Sequence, residues 1–355
     1  MSNELQQTMD GEICGLRVLV ICPRLPSAER PGSMAPALRQ IESLRKLGLE
    51  MIVQDVRGMP ILKYGPALPR MRNRLRDVDL VHAHFGYCGW IGRMQSSKPL
   101  VISFMGDDLL GTPTGSGRTT RFSRWMVRFN QRLARLGDEI IVKSQEMAEV
   151  IRPVRCHIVA NGVDTERFCP IAKEEARQRL GLDQQKKYLL FPGDPSNPRK
   201  GFALADAARK EAEQILGMEI EMFILWGKEP EVVPYCMNAC DAMWMTSLIE
   251  GSPNVVKEAM ACNVPIVGVD VGDVAMMFEN VEGYTICQRD PLELGRAMSA
   301  VLSQRLKTGG RKRIKDMQLG IEQVASRILE IYKQAVKGNK QLGPFAQERL
   351  PRKGR

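Results

Sequence analysis

The chain has 355 residues, with 51 basic and 41 acidic side chains and a formal net charge of +10. A hydrophobic share of 44% and a charged share of 26% are those of a packed globular protein and exclude a disordered one. No window approaches the roughly 18 uninterrupted apolar residues of a membrane span, the opening MSNELQQTMDGEICG lacks the basic and apolar regions of a secretory signal, and nine cysteines without a CxxC pair argue against a disulfide framework or a zinc site.

The expected setting is therefore cytoplasmic and reducing, and the length predicts two domains. The first clear element is the apolar run Leu16–Cys22, LRVLVIC, suited to a buried parallel strand. A Pro/Gly-rich loop, PRLPSAERPGS, leads to a helix predicted from Met34 to Lys46, and Leu49–Val56 resumes strand character. Short strands follow at Val78–His82, Leu100–Phe104 and Glu139–Lys143. After Asn161–Pro170 a second series begins, with strands at Tyr188–Phe191, Glu219–Leu225, Ala242–Thr246 and Pro265–Asp270. Strands alternating with helices predict α/β architecture with doubly wound parallel sheets. Two such units in succession place a ligand cleft at the carboxyl ends of their strands. The expected division is 1–160, 161–330 and a basic tail 331–355 whose end is disordered.

The charge is uneven: residues 1–165 carry +7, 166–330 carry −3 and 331–355 carry +6. Within the first part, 118–136 holds six arginines and no acid. On a helix, Arg121, Arg124, Arg128, Arg132 and Arg135 fall within about 80° of one another, beside a face of Phe122, Trp125, Met126, Phe129, Leu133 and Leu136. One reading is a helix lying on an anionic membrane surface. The other is a surface helix with its apolar face in the core and a solvated basic edge. Nucleic acid is not expected as a partner, since no binding motif accompanies the charge.

The most informative stretch is Asp241–Asp273, DAMWMTSLIEGSPNVVKEAMACNVPIVGVDVGD. An apolar strand runs into a loop where Ser252 suits a helix N-cap and Pro253 the first helical position. Gly251 permits close backbone approach, and the free N–H groups of the helix N-terminus favour an anion. Glu250 and Glu258 flank that site. Carboxylates beside a phosphate site make sense as acceptors from neutral hydroxyls, and a nucleotide sugar offers both groups. The alternative is an ordinary capped helix with two solvated glutamates.

At these residues the sequence resembles glycosyltransferase family 4, whose E-x7-E motif Glu250 and Glu258 match in EGSPNVVKE. NGVDTERFCP (Asn161–Pro170) is similar to the family's interdomain linker and FPGDPSNPRKGF (Phe191–Phe202) to its phosphate-binding segment. VHAHFG (Val81–Gly86) and SFMGDD (Ser103–Asp108) resemble segments of its N-terminal domain, and EAMACNVPIVGVDVGDV (Glu258–Val274) is similar to the consensus that follows the motif. The resemblance implies a GT-B fold, two Rossmann-like domains facing across a cleft, and a retaining transfer from a nucleoside-diphosphate sugar to a glycan or lipid-linked acceptor, without metal or other cofactor. It assigns Glu258 to the nucleotide ribose, Glu250 to the transferred sugar, and Gly251, Ser252, Pro253, Asn254 and Val255 to the sugar and phosphates. Arg199 and Lys200 would neutralise the departing diphosphate, a charge that grows in the transition state. Gly32 would face the phosphates from the first domain, while His84, Asp107 and Asp108 would line the acceptor side. Read from the residues alone, Arg199–Lys200 also suits a solvated turn, and the acceptor-side residues suit structural roles.

Three features depart from the family pattern. Met105 stands where many members have histidine, and Asp194 follows Gly193 where an arginine is common. Only about fifty residues separate Lys200 from Glu250, so the second domain is expected to be trimmed. The pattern resembles a shortened branch linked to polysaccharide and cell-envelope biosynthesis, and the basic helix 118–136 would place the first domain on the inner membrane face. The alternative is a catalytically impaired relative that keeps the fold as a binding or scaffold partner.

Overall fold

A computed structural model describes residues 15–26, 33–56, 64–114, 118–304 and 308–341. The first half builds one parallel sheet from β1 (Arg17–Pro23), β2 (Glu50–Val56), β3 (Leu80–His84), β4 (Leu100–Ser103), β5 (Glu139–Val142) and β6 (His157–Ile158). Their spatial order is β2-β1-β3-β4-β5-β6. Helices α1 (Ala35–Lys46), α2 (Tyr64–Arg74), α3 (Gly86–Arg93), α4 (Asp107–Leu110), α5 (Arg121–Ala134) and α6 (Gln145–Val150) connect them. Successive side chains of β1 take opposite faces, as a strand requires. Leu19 and Ile21 join Val81, Ile102 and Val142 on one side, while Val18 and Val20 join Leu80, Val101 and Ile141 on the other.

After the crossing come α7 (Lys173–Leu180), β7 (Lys187–Phe191), α8 (Phe202–Leu216), β8 (Ile220–Ile224), α9 (Val233–Ala239), β9 (Ala242–Met245), α10 (Asn254–Ala261), β10 (Ile266–Val269), α11 (Val274–Phe278), β11 (Tyr284–Cys287), α12 (Pro291–Ser303) and α13 (Gly310–Asp316). The second sheet is also parallel, in the order β11-β10-β9-β7-β8. Both sheets are therefore doubly wound and Rossmann-like. Between Lys200 and Glu250 the chain fits only α8, β8, a 3-10 turn, α9 and β9, which leaves β8 as the sheet's edge.

Strands read from the sequence agree with the structure to within one or two residues, but β6 and β11 were not legible as strands. The last helix, α14 (Ile321–Gln341), returns to the first sheet and buries Val324, Ala325, Ile328, Leu329, Tyr332 and Ala335 against Val18, Val20, Leu80 and Val101. The expected boundary at residue 330 falls inside this helix, so residues 321–330 pack with the first domain, not the second. Of the tail expected to be disordered, KGNKQLGPFAQERLPRKGR (337–355), residues 337–341 instead continue α14, and 342–355 lie outside the described residues. The outward and return crossings run side by side: Val163 N–H donates to Leu319 O (2.9 Å) and Ile321 N–H donates to Val163 O (3.0 Å). No described helix is long and apolar enough to cross a membrane.

Candidate active site

In an open α/β sheet, ligands bind where strand order reverses, beyond the carboxyl ends of the strands. In the second sheet that point lies between β7 and β9. The loop after β7 carries Arg199 and Lys200, and the loop after β9 carries Glu250 to Pro253. Gly201 allows the two loops to meet: its φ is +70°, and a Cβ there would lie 2.2 Å from Thr246 O. Thr246 Oγ1 donates to Lys200 O (3.1 Å), and Leu248 N–H donates to Arg199 O (2.7 Å). Lys200 is thereby aimed at Glu250, and its Nζ lies 2.6 Å from Glu250 Oε1.

The loop entering α10 differs from the sequence reading. Ser252 does not cap the helix; Pro253 occupies the cap position and no side chain bonds the first-turn N–H groups. The Ser252 hydroxyl instead donates to Asp273 Oδ2 (2.5 Å) and accepts from Lys257 Nζ (2.6 Å), which also donates to Ser252 O (3.2 Å). Lys257 is fully buried. Burial lowers its pKa and raises that of Asp273, and the charge of each partner opposes the effect. This trio braces the backbone from Gly251 to Pro253 while leaving the helix N-terminus uncapped. Asn254 and Val255, half-buried, form its first turn.

The first domain closes the site. Arg39 on α1 donates through Nη2 to Glu258 Oε1 at 2.7 Å, with both side chains largely covered. Arg199 Nη1 reaches within 3.9 Å of Asp107 Oδ2. Gly251 sits so close to the opposite loop that a Cβ would lie 3.0 Å from Met105 O and 3.1 Å from Met147 Sδ. The predicted donor residues Arg199, Lys200, Glu250, Gly251, Ser252, Pro253, Asn254, Val255 and Glu258 are thus brought together. Gly32 lies outside the described residues.

The acceptor-side residues part company. Asp107 stays partly open beside Arg199. Asp108 is 4% exposed, and its carboxylate accepts from the N–H groups of Gly86, Met105 and Gly106. Burial raises its pKa to about 7 against the pull of those donors. It clasps the loop that touches Gly251, with both oxygens engaged by backbone donors. His84 is 1% exposed with neither ring nitrogen paired, and burial lowers its pKa to about 3. Beside it His82 is bound to Tyr332 Oη (2.6 Å) and Ser103 Oγ (2.8 Å). Lys143, at the end of β5, is buried with its pKa lowered to about 7, first by burial and then by Lys257.

Sequence reasoning missed Arg39, Lys143, Lys257 and Asp273. The one local signal was Lys257, a second charge beside Glu258 in the largely apolar VVKEAMA of a buried helix. Asp194, at the position where arginine is common, accepts from both the N–H and the hydroxyl of Ser196 and so shapes a turn. Among the described residues no three His, Cys, Asp or Glu side chains are grouped as a metal site would require.

Residues 14–167 match the profile described as Glycosyltransferase Family 4, and residues 182–304 match that described as Glycosyl transferases group 1. TuaC of Bacillus subtilis, named for teichuronic acid biosynthesis, is 25% identical over 332 residues, covering 82% of each chain. Among solved structures, sucrose-phosphate synthase from Thermosynechococcus elongatus superposes with a TM-score of 0.72 at 18% identity, covering 91% of this chain and 100% of that one. HepE of Anabaena in complex with UDP gives 0.67 at 19% identity, covering 90% and 100%. Two profiles matched in succession, one on each doubly wound sheet, agree with the loops that meet at the cleft: the chain belongs to glycosyltransferase family 4 and is a glycosyltransferase of GT-B fold.

Proposed function

We propose that this enzyme transfers a sugar, with retention, from a nucleoside-diphosphate sugar to a glycan or lipid-linked acceptor in polysaccharide or cell-envelope biosynthesis. The observation that carries the reading is the convergence of Lys200–Glu250 and Arg39–Glu258 around the uncapped start of α10. Uncapped N–H groups and two cations suit a diphosphate. Carboxylates at their flanks suit the hydroxyls of ribose and transferred sugar. In this reading Arg199 and Lys200 stabilise the charge gathering on the leaving diphosphate. Glu250 aims Lys200 in its absence and turns to the sugar in its presence. No metal or other cofactor enters the scheme. The complex of HepE with UDP makes uridine nucleotides the first donors to try, and the name of TuaC supports an envelope polysaccharide as the destination.

The acceptor side of the reading draws on α5. Phe122 and Trp125 are 71% and 56% exposed, in a row of stacked rings that continues through Phe129 to the half-buried Trp90. Beside them a cavity of about 250 Å³ is lined by Leu110, Val127, Gln131, Arg124 and Arg128. Exposed aromatics next to arginines favour an anionic membrane surface over a merely solvated edge. The enzyme would then work at the inner face of the membrane, in the cytoplasm, where a lipid-linked acceptor is reached directly. Nucleic acid has no place in this scheme.

Calorimetry of UDP, GDP, CDP and ADP and their common sugars against wild type and Glu258→Ala tests the donor site. One nucleotide should bind wild type and weaken about ten- to hundredfold in the variant, the worth of a charged hydrogen bond. Binding unaffected by the substitution would overturn the site. Donor binding without transfer to any acceptor would favour the scaffold reading, to which Met105 and Asp194 point.

A further inference from the structure

The second sheet ends on β8, and β8 has a bare edge. It pairs only with β7, Lys187 opposite Ile220 through Phe191 opposite Ile224. Leu225 N–H donates to Phe191 O (2.9 Å), so residues 221, 223 and 225 direct their backbone groups inward to β7. Ile220, Met222 and Ile224 therefore direct theirs outward. Ile220 is capped from α8: its N–H donates to Glu213 Oε1 (2.8 Å), and its carbonyl accepts from Arg209 Nη1 (3.0 Å). Met222 and Ile224 have no such cap among the described residues, leaving two N–H and two C=O groups unsatisfied by the protein. Exposed apolar side chains flank this edge: Ile215 (50%), Met218 (43%) and Trp226 (61%). An uncapped edge bordered by apolar surface is a template for another strand.

We infer that this edge is a homodimer interface, with β8 pairing antiparallel to β8 of a second copy about a two-fold axis through Phe223. The backbone parity selects the register. In an antiparallel ladder, hydrogen-bonded pairs alternate with non-bonded ones. Centring on Phe223 pairs Met222 with Ile224 of the second copy and Ile224 with its Met222, so all eight bare groups of the two copies are satisfied. The next bonded pair would be Ile220 with Trp226, and there the Arg209–Glu213 cap ends the ladder. The side chains agree with this register. Ile220, Met222 and Ile224 lie on the α8 side of the sheet with Leu216; Ile220 is already buried, so exposed Trp226 of one copy is set towards exposed Met218 of the other. The charges agree as well. Glu221 is held by Lys186 of its own chain, but Glu219 stands at the start of the strand and Lys228 beyond its end, so antiparallel pairing sets each copy's Lys228 beside the other's Glu219. Because the second sheet ends at β8, the second copy supplies the strand that would continue it.

The full chain should sediment as a dimer at about 100 µM and dissociate on dilution, with a Kd in the micromolar range. Ile224→Pro removes an outward N–H at a position where an edge strand tolerates proline, and Trp226→Glu sets an acid beside Glu219 of the second copy. Each should raise the dimer Kd at least about tenfold while the circular dichroism of the monomer stays that of wild type. If the proline variant fails to fold, the Trp226→Glu result decides alone. The register has its own readout: Phe223→Cys should crosslink to itself on mild oxidation above the wild-type background, and Glu221→Cys should not, because only the axial pair brings like residues within disulfide reach. A monomeric wild type, a folded Trp226→Glu dimer of unchanged affinity, or crosslinking through residue 221 alone would overturn the inference.

Discussion

Arg39 and Glu258 stand 219 positions apart in the chain, and the guanidinium Nη2 lies 2.7 Å from the carboxylate oxygen. The pair joins the helix that follows the first strand of one domain to the motif helix of the other. It holds one oxygen of Glu258; in the proposed reading the second serves the ribose. Closing the cleft and presenting the carboxylate are therefore one act.

Arg39→Met should weaken nucleotide binding by less than Glu258→Ala, about three- to tenfold. The carboxylate survives but loses the group that orients it. Small-angle scattering of the ligand-free variant should show a more open pair of domains. Unchanged affinity together with unchanged dimensions would contradict this account.

Lys257 and Asp273 form a buried cation–anion pair through Ser252. Lys257→Met leaves Asp273 without its countercharge and should cost about 3–5 kcal/mol. The double variant Lys257→Met/Asp273→Asn should recover about 1–3 kcal/mol of the sum of the single losses. Urea denaturation of the four proteins measures the coupling, and strict additivity would contradict it.

His84 and Lys143 give the first domain a signed dependence on pH. Burial lowers His84 from 6.5 to about 3 and Lys143 from 10.5 to about 7. Within each window the unfolded chain binds the proton that the folded chain refuses, so stability rises with pH. On acidification below 6.5 His84 and the likewise lowered His82 weaken the domain, while Asp108, raised by burial from 3.8 to about 7, offsets part of that loss; raising the pH above about 7 should strengthen it through Lys143. Lys143→Met should remove the upper slope, which is at most about 1.4 kcal/mol per pH unit. Denaturation midpoints of both proteins at about pH 7 and about pH 9 check the sign.

Arg124, Arg128 and Trp125 should govern attachment to anionic vesicles. Arg124→Glu/Arg128→Glu should lower the partition onto phosphatidylglycerol vesicles more than tenfold at about 1 kcal/mol per basic residue. Trp125→Ser should lower it with little change in salt dependence, because the ring contributes apolar area and no charge. Co-sedimentation at two ionic strengths separates the two, and equal binding by all variants would contradict both.

Much of this architecture is legible locally. LRVLVIC reads as a buried strand because seven apolar or aliphatic-stemmed residues in a row suit a sheet covered on both faces. EGSPNVVKE announces a loop meeting a helix start. What escapes is decided by tertiary packing. Ser252 has the composition of an N-cap, yet Lys257 and Asp273 claim its hydroxyl. Asp108 reads as an acceptor residue until three backbone donors surround it. Arg39 looks like any surface residue of an amphipathic helix, since its partner lies in the other domain. Residues 321–330 follow the second domain in sequence but bury Val324 and Ile328 on the first sheet, a choice no local periodicity encodes.

That last packing has a consequence for synthesis on the ribosome. One face of the first sheet, with Val18, Val20, Leu80 and Val101, is completed by residues 324–335, and buried His82 acquires its Tyr332 partner only then. The domain translated first is thus the domain finished last. While the second sheet is being made, the nascent first domain carries uncovered aliphatic surface, a natural client for a chaperone until the closing helix emerges.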